Sequence, residues 1–112
     1  MANPLKGEVE LVVGETTYTL CFPSNAVVEV EQLLGDSIGG IAGNITRVEH
    51  QRALLWSALQ KHHKGVDLLK AGEIMDDFDG GLEPLAEKLV RALRFRLSRA
   101  PIDAPLTDAA EQ

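Results

Sequence analysis

Cysteine is nearly absent: Cys21 stands alone among 112 residues. A single thiol excludes an internal disulfide and fits a reducing compartment. No second cysteine or reactive-site motif accompanies it, so Cys21 reads as a buried or half-buried structural thiol. Aromatic residues make up only 4% of the chain, so the core has to be assembled from Leu, Val, Ile and Ala. No apolar run approaches the ~18 residues of a membrane-spanning helix, and the opening MANPLKGE lacks the apolar segment of a secretory signal. These absences predict a cytoplasmic protein with no membrane partner. A net charge of −6 argues against general nucleic-acid binding, which takes clustered Lys and Arg.

The residues that are present organise into a hairpin and helices. Val9, Leu11 and Val13 alternate with Glu8, Glu10 and Val12, and Tyr18, Leu20 and Phe22 alternate with Thr17, Thr19 and Cys21. Each run has one mainly apolar face. Gly14-Glu15 between them suits a two-residue turn with Gly first. A lone hairpin is marginal in water, so helices must cover it. Its open edges could pair with a second copy of the chain, which makes a homo-oligomer an expectation, or accept a partner's strand.

Ser24 or Asn25 caps a first helix with an apolar stripe of Ala26, Val30, Leu33 and Leu34, ended by Gly35. Residues 36–45 are glycine-rich and read as a loop with room for one helical turn through Ile38 and Ile41. Thr46 and Glu49 form a capping box for a second helix to about His63, with Val48, Leu55 and Leu59 on one face. Asp67 caps a third helix to about Phe78, with Leu68, Ala71, Ile74 or Met75, and Phe78 inward. Pro84 sits in the first turn of a fourth, which Pro101 stops. The fold class is therefore α+β, an N-terminal β-hairpin packed on a small bundle of about four helices. Residues 1–100 form a single domain and residues 101–112 a disordered tail.

Few motifs survive scrutiny. Gly35-Asp36-Ser37-Ile38-Gly39 matches the G-x-S-x-G elbow, but that turn needs a strand before it and a large parallel sheet. His62 and His63 are adjacent, and helical neighbours diverge by ~100°, so they read as a solvated helix end rather than metal ligands. Asp76, Asp77 and Asp79 fit no register of a calcium loop. No set of acid, base and nucleophile stands out, so neither an enzyme nor a cofactor is expected.

The last helix is distinctive. Leu82, Leu85, Ala86, Leu89, Leu93 and Leu97 lie on one stripe. Residues 82–100 carry five basic against two acidic side chains, +3 locally, which leaves −9 elsewhere. Lys88, Arg91, Phe95 and Arg99 are three or four residues apart and share the outer face. An aromatic amid basic residues there is a candidate partner-binding surface. The competing reading packs Phe95 against the hairpin, with the arginines serving the helix C-terminus.

Three segments carry a resemblance. They are the opening MANPLKGEVELVVGETTYTL; NAVVEVEQLLG; and RALLWSAL followed by DLLKAGEIMDDF and GLEPLAEKLVRAL. In their order, lengths and glycine breaks they resemble the phage tail assembly chaperone family, in the branch found in gene transfer agents and related tailed phages. The match spans roughly residues 6–97. The His62-His63-Lys64 linker and the arginine-rich helix end depart from that pattern. The resemblance implies a non-catalytic protein of the bacterial host cytoplasm, active while a tail is built. It would bind the tape measure protein, keep it soluble and help recruit tail tube protein subunits. Two further readings are a minor structural tail component and a small nucleic-acid-binding adaptor using Lys88, Arg91, Arg94 and Arg99.

Overall fold

A computed structural model describes residues 2–98. Arg99 and the expected tail at 101–112 lie outside the described residues. The chain opens with a 3-10 turn at Pro4–Lys6, where the Asn3 carboxamide oxygen accepts the Leu5 amide at 3.0 Å. Gly7, at φ +76°, then turns the chain into the hairpin. Strands β1 (Val9–Val13) and β2 (Thr16–Leu20) pair antiparallel, with Val9 opposite Leu20 and Val13 opposite Thr16. Gly14-Glu15 is left as the two-residue turn, and Gly14 sits at φ +60°, where glycine carries no steric penalty. The expected apolar faces turn inward, but Glu8 and Cys21, expected on the polar faces, are buried as well. Val9, Leu11, Val13, Leu20 and Phe22 are buried, while Glu10 and Val12 are exposed.

Five helices follow among the described residues: α1 (Ser24–Leu34), α2 (Ile38–Gly43), α3 (Val48–Leu59), α4 (Leu68–Asp77) and α5 (Leu82–Ser98). The expected α+β arrangement is present, with α2 as the extra short helix inside the glycine-rich stretch. Its N-cap is Ser37, whose hydroxyl accepts the Gly40 amide at 3.2 Å. The Glu31 carboxylate accepts the Ile38 amide at 2.8 Å and so ties α1 to α2.

Two caps differ from expectation. Helix α1 begins at Ser24 with Pro23 in the cap position and no side-chain cap bond. The fixed φ of proline starts the turn, and the Pro23 carbonyl accepts the amides of Ala26 and Val27. Helix α3 begins at Val48 behind Arg47, again with no side-chain cap, so Thr46 and Glu49 make no capping box. Thr46 instead lies inside a turn that the Arg47 amide closes onto the Asn44 carbonyl. Asp67 caps α4 as expected, accepting the Lys70 amide at 2.8 Å, and Gly35 ends α1 at φ +67°.

Helix α3 is the axis of the core. Ala53, Leu54, Leu55, Ala58 and Leu59 are buried together with Gln51 and Ser57, leaving almost no polar face. A helix apolar on nearly all sides needs neighbours on nearly all sides, and α3 packs against α1, α4, α5 and β2. The Gln51 side-chain NH2 donates to the carbonyls of Ile45 at 3.1 Å and Leu82 at 3.0 Å, while its buried Oε1 has no partner. Helix α5 buries Leu85, Ala86, Leu89, Ala92 and Leu93, whereas the two ends of its expected stripe, Leu82 and Leu97, emerge into solvent. Leu33 of α1 likewise faces outward.

Leu89→Ala, at a fully buried position, should cost about 2–5 kcal/mol. Leu97→Ala, at a position 59% exposed, should change stability by no more than about 0.5 kcal/mol. Equilibrium urea unfolding of the two variants checks the contrast, and equal costs would contradict the placement of α5.

Candidate functional site

The face of α5 expected to meet a partner is in large part a seam with the hairpin. The Lys88 ammonium donates to the Glu10 carbonyl at 3.3 Å, and Arg96 Nε donates to the Phe22 carbonyl at 2.8 Å. Phe95 is half-buried and packs against the core, its ring lying over Gly7 so closely that a Cβ there would collide with it. Phe95 is therefore turned onto the N-terminal turn rather than standing free. Arg91 and Arg94 are half-buried and engaged in interactions of their own. The structure brings Lys88, Arg91 and Phe95 to one side of α5, and Arg99 is not described. The signal for this seam was Gly7, the one residue before β1 able to let an aromatic ring approach the backbone.

Cys21 is buried in a small cleft beside the seam, with Lys6, Lys61 and Arg96 around it. Burial pushes its thiol above the ordinary range, while Lys61 and Arg96 pull the other way. A protonated, enclosed thiol is a packing group and a poor nucleophile.

The two histidines point to different partners. His62 Nε2 lies 3.1 Å from Glu8 Oε2, and the other oxygen of that buried carboxylate accepts the Asn3 amide at 2.9 Å. His63 Nε2 accepts the Thr19 amide at 3.0 Å, with the Tyr18 ring edge-on at 5.2 Å. His62 is exposed in the turn just past α3, as expected of a solvated helix end, and both histidines also reach groups of the N-terminal hairpin region. The 54-residue separation of Glu8 from His62 hid this pair from local pattern reading.

These contacts also correct the expectation of open hairpin edges. With Val13 and Thr16 closing the turn, Thr17, Thr19 and Cys21 direct their amides away from β1. His63 takes the Thr19 amide and the Ala58 carbonyl takes the Cys21 amide at 3.1 Å. On the other side the Asn3 carbonyl accepts the Glu8 amide and Lys88 holds the Glu10 carbonyl. Each edge is occupied by the chain's own groups along the end away from the turn.

A third feature was not foreseen. Leu33 and Leu34 of α1, Glu49, Arg52 and Ala53 of α3, and Leu68 of α4 line a second groove, which shares no residue with the seam. It is open to solvent, with Leu33 47% exposed and the adjoining Leu69 71% exposed. Exposed leucines on two helices flanking a third make a surface fit for apolar association. The arrangement as a whole offers binding surfaces. His62 and His63 face a carboxylate and a backbone amide instead of a nucleophile.

Gly7→Ala places a methyl group into the Phe95 ring at a left-handed backbone position and should cost about 2–3 kcal/mol, read as a lowered urea midpoint. The His63 bond requires a neutral ring, and burial, followed by the charge of His62, holds the His63 pKa below its ordinary 6.5. The unfolded chain therefore takes up this proton first, so the contribution is complete above about pH 6.5 and falls as pH drops below it. His63→Gln keeps an acceptor for Thr19 but removes the titration. Its stability should decline less than that of the wild type between pH 7 and 5, and parallel declines would refute the assignment. No protein-family model, curated protein or solved structure matches the chain.

Proposed function

We propose that this protein is a tail assembly chaperone of a phage or gene transfer agent, which binds the tape measure protein, keeps it soluble and helps recruit tail tube subunits. One observation carries the reading. The three segments that resemble the family lie in order on the hairpin, on α1, and on α3, α4 and α5, although RALLWSAL covers only the last part of α3, from Arg52, and GLEPLAEKLVRAL stops at Leu93 within α5. Gly35 ends α1, and Gly65 and Gly80 lie in the turns before α4 and α5.

The physics of the role agrees. A tape measure protein exposes apolar helix faces until the tube encloses it, and such faces aggregate. A small acidic domain with leucines at its surface can cover them transiently, and many weak contacts along one rod sum to firm retention. The work belongs in the bacterial cytoplasm during assembly, and no described helix is long and apolar enough to cross a membrane. The adaptor reading is weaker, because Lys88 is directed at the Glu10 carbonyl and Arg91 and Arg94 are half-buried with interactions of their own.

Co-expression with the tape measure protein from the same gene cluster should raise its soluble fraction, and the two should co-purify. Finished particles analysed by mass spectrometry should contain little of this chain. An equally insoluble tape measure protein, or stoichiometric retention in particles, would overturn the proposal.

A further inference from the structure

The groove between α1, α3 and α4 contains an unmet bonding requirement. Arg52 Nε is buried and has no hydrogen-bond partner, and no carboxylate among the described residues pairs with its guanidinium. Glu49, one turn earlier on the same helix, lines the groove without reaching it. The arginine stem lies along α4, where a Cβ at Gly72 would come within 3.4 Å of Arg52 Cδ. No acidic group among the described residues meets the Arg52 charge, so the groove presents an uncompensated cation to whatever docks there.

The surroundings narrow its chemistry. Leu33, Leu34, Ala53 and Leu68 wall the site, and apolar walls strengthen an arginine–carboxylate bond by excluding water. Glu49 adds a negative charge one turn from Arg52 and favours a basic group there. We propose that this groove docks an amphipathic helix of a partner protein, seating leucine-type side chains on Leu33, Leu34 and Leu68 and one carboxylate on Arg52, with a basic residue one turn away opposite Glu49. Helix-in-groove recognition through anchors at three- and four-residue spacing suits such a cleft. The partner's identity as a tape measure segment rests on the chaperone reading; the recognition chemistry does not.

The test uses the full chain labelled with ¹⁵N and a synthetic helix of about 18 residues carrying a leucine stripe and a central Glu–Lys pair one turn apart. Titration should shift the amides of Leu33, Leu34, Ala53 and Leu68. Replacing the peptide's glutamate by Gln should weaken binding about tenfold to the wild type and hardly at all to Arg52→Gln. Leu33→Asp, at a solvent-exposed position, should weaken both peptides without unfolding the protein. Shifts confined to α5 and the hairpin, equal affinity for the two peptides, or the same shifts on concentrating the protein alone would each overturn the proposal, the last by assigning the groove to a second copy of this chain. Co-expression then separates the two levels. If wild type solubilises the tape measure protein and Leu33→Asp/Arg52→Glu does so equally, the groove assignment falls while the chaperone function stands. If wild type itself fails, the function falls and the peptide titration alone decides the groove.

Discussion

A two-stranded hairpin cannot hold itself together in water, and the rest of this structure is arranged around that constraint. Each flank of the hairpin is closed by a different part of the chain. Helix α3 supplies the Ala58 carbonyl to Cys21, just past β2, and the segment after α3 supplies His63 to Thr19 of β2. Helix α5 supplies Lys88 to β1, and Phe95 clamps the N-terminal turn through the space that Gly7 leaves. The apolar side chains of the strands then complete a core whose centre is α3. Removing either closure would leave backbone donors and acceptors with water as their only partner on that side.

This dependence explains why some features were legible in the sequence and others were not. Strand alternation, the Gly14-Glu15 turn, the Gly35 stop and the Asp67 cap are decided by residues within one or two turns of each other, and they read correctly. The capping box at Thr46 is also local, yet the chain arriving from α2 places Thr46 in a turn and overrides it. The face of α5 left two readings open for a different reason. A helical wheel gives angles relative to one neighbour, whereas α5 has two, α3 and β1. Phe95 is opposite the leucine stripe and still covered, because a second element waits there. Leu33 shows the converse, an apolar residue within a correct stripe that no neighbour reaches. The Glu8–His62 pair and the Arg52 groove depend on tertiary proximity and have no sequence signature.

The seam and the groove consequently serve different purposes. The seam side is occupied by the protein's own hairpin, and its basic residues are directed at backbone carbonyls or half-buried. The groove side carries surface leucines and a guanidinium lacking an acceptor. Basic residues and an aromatic, the features that attract attention in the sequence, mark the intramolecular contact. The less conspicuous leucines mark the surface available to others. Cys21, enclosed and held protonated, belongs to the first side and contributes packing alone.

The closure of β1 by α5 spans 78 residues, from Glu10 to Lys88. During synthesis the hairpin leaves the ribosome first, yet the helix that secures it emerges last. The outer edge of β1 must therefore wait until α5 has been made, whereas Ala58 and His63 can close the β2 side earlier. Contacts this distant also slow the final consolidation of the fold. A ribosome stalled before α5 would display β1 with its outer edge unprotected, the state of this molecule most prone to sticking to its neighbours.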